Sequence, residues 1–408
     1  MTRRVAVVVQ RCHESVVGGS EALAWQYARL LSSRFDVEIL TSTASDYTTW
    51  KSDLPAGIEM RDGIPVHRFV PATTREPYWH ELHARLIREV HETRTRDAAE
   101  RVYWREALED EFIRCQGPYC PGLNAHLAAN ARDYSAVVFC TYLYPTTYFG
   151  IRNIPRDKAI LVPTLHDEIP AYLKVFAQRY AAYPHRIWLT DAEQRVAGRL
   201  WNVTGGEVLG MAVEHTESGE RERRAAPYFL YCGRIDENKG CGVLIDAFHR
   251  FRKDSGLDAT LVLTGADHMS LPKRADIEFL GFVDEQYKLA LMAGAAAFVL
   301  PSEFESFSIV TLEAMAQRTP VLVNGKCEVL RDHIDRSGAG FHYQTEAELA
   351  ALMERVLKLD APSRMRMGDA GRNYVMERYS ERNVQDRLVA YVERVAAGAQ
   401  PDASTPSH

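Results

Sequence analysis

Short, almost wholly apolar runs recur along this chain, separated by amphipathic stretches. VAVVVQ (5–10), VEILTST (37–43), VHRFV (66–70), AVVFCTY (136–142), AILVPTL (159–165) and RIWLT (186–190) form a first series. YFLYCGR (228–234), ATLVLTG (259–265), IEFLGF (277–282), AAAFVLPS (295–302) and TPVLVNG (319–325) form a second. Most lack the alternation of a half-exposed strand, which suits parallel strands covered on both faces. Between them lie helical patterns such as SEALAWQYARLLSS (20–33) and KGCGVLIDAFHRF (239–251). The alternation predicts an α/β fold of doubly wound sheets, and two series predict two such domains. With 408 residues, each domain can bury its own core.

The segment 205–227, GGEVLGMAVEHTESGERERRAAP, becomes polar and charged in its second half and ends in Pro227, so it reads as a linker. The expected boundaries are 1–212 for the first domain and 213–380 for the second. Residues 398–408, rich in Ala, Ser and Pro, are expected to be a disordered tail. A net charge of −6 argues against nucleic acid as the main partner. The apolar run Val5–Val9 soon meets Arg11, His13 and Glu14, too early for a secretory signal, and no stretch approaches membrane-spanning length. The seven cysteines are scattered; Cys115 and Cys120 are the closest pair, with no His/Cys pair at zinc spacing. Reduced thiols, no metal site and a cytoplasmic location are therefore expected.

The segment Arg75–Arg114 is helical in pattern and too long for a simple crossover. Arg85, Arg88, Arg94, Arg96, Arg101 and Arg105 interleave there with Glu89, Glu92, Asp97, Glu100 and Glu106. Balanced charge of this kind suits a solvated helix face better than membrane docking.

Ligands of doubly wound sheets bind at the carboxyl ends of strands, where helix N-termini present free amides. After the first strand stands Gly18-Gly19, which suits either a close approach to a phosphate or sugar, or an ordinary turn. No G-x-G-x-x-G is present, which argues against a dehydrogenase. After the fifth strand come His166 and Asp167, facing the crevice or merely structural. The second series opens with Arg234 and Lys239 flanked by Gly233 and Gly240, an anion clamp if the two cations are not simply solvated. Last comes SEFESFSIVTLEAMA (302–316), with Glu305 over a strand end and Glu313 inside the following helix. Amides of residues 306–309 would suit phosphate oxygens, while the two carboxylates would suit the hydroxyls of a sugar and a ribose.

These elements resemble the retaining family 4 glycosyltransferases of the GT-B fold. The E-x7-E element (Glu305, Glu313), the GR-x4-KG turn (Arg234, Lys239), the GGSE loop and the HD at a strand end occur in family order, as does LGFVDEQYKLALMAGAAAFVLPSEFESFSIVTLEAMA. The resemblance implies two Rossmann-like domains facing a cleft, with a final helix (381–397) crossing back to complete the first. It implies that Arg234 and Lys239 hold a diphosphate, assisted by the amides of Ser306, Phe307, Ser308 and Ile309. Glu305 would contact the donor sugar, Glu313 the ribose, and backbone near Val283 the base. Gly18 and Gly19 would approach phosphate or acceptor, and His166 would lie by the donor sugar. The co-substrate would be a nucleotide-diphosphate sugar, with no bound cofactor or metal, and the acceptor a hydroxyl on a soluble small molecule or saccharide. Two departures stand out: Lys326-Cys327-Glu328 follows Gly325 where a glycine pair is usual, and Ser306 and Ser308 stand where glycines are common. The rival readings are an epimerase or phosphorylase on a similar fold, and a silent nucleotide-sugar-binding subunit.

Overall fold

The first half of the chain carries β1 (Arg4–Val8), β2 (Asp36–Ser42), β3 (Gly57–Arg61), β4 (Ile64–Phe69), β5 (Tyr134–Cys140), β6 (Ala159–Val162), β7 (His185–Trp188) and β8 (Glu207–Val208). The second carries β9 (Tyr228–Cys232), β10 (Thr260–Thr264), β11 (Ile277–Phe279), β12 (Ala297–Leu300), β13 (Val321–Asn324) and β14 (Gly340–Tyr343). The computed structural model describes residues 3–14, 18–92, 104–213 and 216–398. It divides into two units, one running to Met211 and resuming at Gln385, the other Ala212–Val384.

In the first unit eight strands form one sheet in the order β3-β4-β2-β1-β5-β6-β7-β8. All neighbours are parallel except the hairpin β3–β4. The strands β1, β5 and β6 are buried almost throughout, as their unbroken apolar composition requires. The charged segment after β4 forms the helices Pro77–Glu92 and Glu106–Gln116. Their Trp79, Leu82, Leu86, Phe112 and Ile113 are buried in the core of this unit, with Trp104 just ahead of the second helix. Among their charges, Arg85 and Glu89 pair at 2.6 Å along the helix surface. Arg94, Arg96, Asp97, Glu100 and Arg101 lie outside the described residues.

The second unit is an all-parallel six-stranded sheet, β11-β10-β9-β12-β13-β14. Phe229, Phe248, Phe251, Leu261, Phe298, Leu312 and Leu322 fill its core. The final helix, Glu381–Ala396, leaves this unit and returns to the first. There Arg387 donates to the Val208 carbonyl at 2.6 Å, and the Tyr391 hydroxyl bonds the backbone of Arg186. Every expected strand is present, one to three residues shorter at its carboxyl end, where the run passes into a loop. Three strands had no counterpart in the reading: β3 is exposed along its length, β8 has two residues inside the expected linker, and β14 is short and half-exposed. Gly398 apart, the tail lies outside the described residues. The seven cysteines are all unpaired and buried. No described helix is long and apolar enough to cross a membrane.

Candidate active site

In the second sheet the connections from β9 and β12, which are neighbours, run to opposite sides, so a crevice opens between their carboxyl ends. The turn after β9 carries Arg234 and Lys239. Asp236 caps a short 3-10 turn, Glu237–Lys239, by accepting the Lys239 amide at 2.8 Å. Gly240 follows with φ +74°, and a Cβ there would lie 2.7 Å from the Pro301 carbonyl oxygen. The turn is thereby packed directly on the loop after β12, which only glycine permits. Across that contact Lys239 Nζ donates to Glu305 Oε1 at 2.7 Å, while Arg234 Nε pairs with Asp236 at 3.1 Å.

The loop after β12 ends in the helix Ile309–Ala316, capped by Ser308 in the left-handed region (φ +64°, ψ +62°). The amides of Phe307, Ser308, Ile309 and Val310 have no backbone partner among the described residues. The peptide plane between Phe307 and Ser308 is set from the core side. The Phe307 carbonyl accepts His333 Nε2–H at 2.9 Å, and Tyr374 OH lies 2.9 Å from Nδ1. A carbonyl can only accept, so Nε2 carries the proton. Nδ1 then accepts from Tyr374, because burial pushes this imidazole down to about 4 and keeps it neutral. Since C=O and N–H point opposite ways in a trans peptide, anchoring the Phe307 carbonyl inward turns the Ser308 amide away from the core. Phe307 itself is buried edge-on to His333 and Tyr379.

Glu313 lies on the second turn of that helix, 5% exposed. Its Oε2 accepts from Lys288 Nζ at 2.8 Å, and Lys288 also reaches Glu285 at 2.8 Å. Lys288 belongs to the helix Glu285–Gly294, which follows the loop of half-buried Val283. Glu313 and the Val283 loop are thus tied through one lysine. Lys326, at the first departure from the family pattern, reaches Glu303 at 2.9 Å and so braces the loop that holds Glu305.

Gly18, Gly19 and His166 belong to the first unit. The two glycines differ. A Cβ on Gly18 would lie 2.1 Å from Glu21 Oε2, whereas nothing described lies within 4 Å of one on Gly19. Gly18 is needed because Glu21 folds back under the loop to accept from buried Arg11 (2.7 Å) and Gln10 (3.1 Å). At Gly19, by contrast, a side chain would meet open space. His166 follows β6, and its loop is fixed by buried Glu193, whose oxygens accept the Leu165 and Leu189 amides. Burial pushes that carboxyl up to about 8. His166 Nε2 stands 3.8 Å from Glu168, which in turn accepts from Tyr142 OH. Lys288, Asp236 and His333 were not singled out from sequence; Asp236, three residues ahead of Lys239, had a capping signature that could have been read.

Residues 214–374 match the family described as glycosyl transferases group 1. Over 190 residues the chain is 32% identical to alpha-maltose-1-phosphate synthase of Mycolicibacterium smegmatis, covering 42% of this chain and 49% of that one. It is 34% identical to the MMP alpha-(1->4)-mannosyltransferase of Mycolicibacterium hassiacum over 121 residues, 29% of this chain and 28% of that one. Sucrose-phosphate synthase from Thermosynechococcus elongatus superposes with a TM-score of 0.67 at 16% identity, covering 97% of this chain and 100% of that one. The second unit is thus similar to glycosyl transferases group 1, and the chain as a whole has the GT-B fold. Anabaena HepE, solved with UDP and glucose, shares that fold at TM-score 0.65 and 14% identity, covering 96% of this chain and 100% of that one. The sequence matches span about half the length of such relatives, or less. The family match, residues 214–374, includes Arg234, Lys239, Glu305 and Glu313.

Proposed function

We propose that this protein transfers a glycosyl group from a nucleoside-diphosphate sugar to a hydroxyl acceptor, with retention of anomeric configuration. The observation that carries the reading is the crevice at β9 and β12. There, amides without backbone partners at a helix start, two cations on one turn and a carboxylate at hydrogen-bonding distance from one of them come together. Amides and cations suit a diphosphate, and the carboxylate suits a sugar hydroxyl that would otherwise go unrecognised. In the proposed step the bond from the anomeric carbon to the diphosphate oxygen breaks and a bond to the acceptor oxygen forms on the same face. The acceptor proton passes to the departing phosphate oxygen. Arg234, Lys239 and the amides of residues 307–310 stabilise the charge that collects there. Glu305 orients the sugar, Glu313 takes the ribose and the backbone near Val283 the base. His166 and Gly19 are assigned to the reacting face, and no metal or cofactor is invoked.

HepE with UDP and glucose supports a uridine-diphosphate sugar as the first donor to try. The test is a panel of UDP-, GDP-, ADP- and dTDP-sugars, read by thermal shift and by donor hydrolysis, followed by NMR of the anomeric proton in the product. A donor that is converted to its epimer without acceptor, or binds without ever reacting, would replace this reading with one of its rivals.

A further inference from the structure

The first sheet has its own crossing point, between β1 and β5, and the loops that follow β1, β2, β4 and β5 gather at its carboxyl end. In that gathering Arg75 is unusual. Its guanidinium lies 4.5 Å from the centre of the Trp79 ring and 5.7 Å from Trp50. Nε makes a long bond of 3.4 Å to the Gln116 carbonyl, which also accepts the Trp50 indole N–H at 2.6 Å. Its backbone is held as well, the amide donating to the Thr49 carbonyl at 3.1 Å.

Yet Arg75 forms no ion pair, and its terminal nitrogens make no hydrogen bond among the described residues. Desolvation lowers its pKa, as expected for a cation that has given up water without gaining a carboxylate. Among the described residues the carboxylate whose charge reaches it is Asp46, which accepts the amides of Thr48 and Thr49 and the Thr49 hydroxyl. Neighbouring Arg11 is, by contrast, fully paired with Glu21. On the β5 side of Trp50 stands Tyr144, edge-on at 5.1 Å, and its hydroxyl has no partner among the described residues.

We propose that this crevice binds an acceptor bearing an oxyanion, a carboxylate or phosphoryl group, and that Arg75 is the residue that holds it. A guanidinium anchored through Nε and flanked by two indoles keeps its outer fork fixed, the geometry that bidentate recognition of an oxyanion needs. Aromatic faces partly compensate the cation, and a ligand oxyanion completes the compensation. Tyr144 adds a hydroxyl for the body of the same ligand. The proposal rests on the glycosyl-transfer reading, since it names the acceptor class of that reaction.

The experiment is calorimetric titration of the full chain with glucose 6-phosphate, glucuronate, neutral glucose and UDP, with Arg75→Ala and Arg75→Gln alongside. Arg75→Gln keeps the stem and a polar head between the indoles, so it guards against a fold defect, which circular dichroism also checks. Wild type is expected to bind at least one anionic sugar more tightly than glucose. Both variants should lose that affinity about tenfold or more while binding UDP unchanged. Glucose 6-phosphate favoured over glucuronate would assign a phosphoryl group, and the reverse a carboxylate. Equal binding of anionic and neutral sugars, no binding of either anionic sugar, or anionic affinity unchanged in folded Arg75 variants would overturn the proposal. Arg75-dependent binding of an anionic sugar by a protein that binds none of UDP, GDP, ADP and dTDP would leave the anion site standing and remove the glycosyl-transfer reading.

Discussion

The two sheets carry the same kind of crevice, one between β1 and β5 and the other between β9 and β12, but they equip it differently. In the second unit the polar groups come from two short segments, 233–240 and 301–313, and each prominent charge has a partner: Lys239 with Glu305, Arg234 with Asp236, Glu313 with Lys288. In the first unit the groups are scattered over four loops, Arg11 is paired, and Arg75 is not. A charge-balanced site can release its cations to an incoming anion and take them back. A site built around an uncompensated cation is better matched to a ligand that brings its own negative charge. The same fold element thus serves two recognition problems.

The largest effects should fall on the paired crevice. Lys239→Ala and Arg234→Ala are each expected to remove a charge-assisted contact worth about 1.5–3 kcal/mol, roughly tenfold to a hundredfold in affinity for the free nucleoside diphosphate. Turnover should become undetectable, because the same contacts stabilise the leaving group. Binding of anionic sugars at Arg75 should be untouched. If nucleotide affinity survives both substitutions in calorimetry, the contrast between the units collapses.

The two glutamates should divide by ligand. Glu305→Gln is expected to keep affinity for the bare nucleoside diphosphate and lose it for the nucleotide sugar, whereas Glu313→Gln should weaken both. Glu313→Gln should also lower stability by about 1–3 kcal/mol, since it deprives half-buried Lys288 of one of its two carboxylates. Adding Lys288→Met should restore melting temperature but not affinity. Recovery of affinity along with stability would reduce Glu313 to a structural partner.

How far the site could be read from sequence follows from how local it is. Glu305, Glu313, Arg234 and Lys239 lie in two short stretches at strand ends, where strand pattern and turn residues place them together. Lys288 was invisible because its partner is 25 positions away on another helix. His333 looked like any of 14 histidines, since nothing local announces that its ring reaches the Phe307 carbonyl. Arg75 stands out in the sequence only as the first residue of the charged segment; its neighbours Trp50 and Gln116 are remote in sequence. The fold was legible for the opposite reason, since most strands lie in nearly continuous apolar runs. The exceptions β3, β8 and β14 are exposed or very short.

His333 gives the paired crevice a pH signature. Its folded pKa is near 4, below the ordinary value of 6.5, so the unfolded chain binds the proton more readily in between. The stability it supports is complete above about pH 6.5 and falls as pH drops toward 4, by on the order of 3 kcal/mol. His333→Gln, which can still donate to the Phe307 carbonyl but cannot titrate, should flatten that part of the melting profile and keep nucleotide binding. His333→Leu should flatten it too but weaken nucleotide binding, because the loop amides lose their anchor. Equal nucleotide affinity in the two variants would show that the loop needs no such support.

The smallest effect concerns Ser308, where the family pattern favours glycine and the backbone shows why. At φ +64° a side chain is strained, and here the hydroxyl compensates in part through Thr311 Oγ1 at 2.8 Å. Ser308→Ala removes the hydrogen bond and keeps the strain, so it should destabilise by about 0.5–1.5 kcal/mol. Ser308→Gly removes the bond and relieves the strain, and should lie close to wild type. The difference between the two variants isolates the backbone and should be about 1 kcal/mol in favour of glycine. Calorimetric melting of both decides it. Were alanine as stable as glycine, the left-handed cap would carry no strain, and the serine would have to be explained by ligand contact instead.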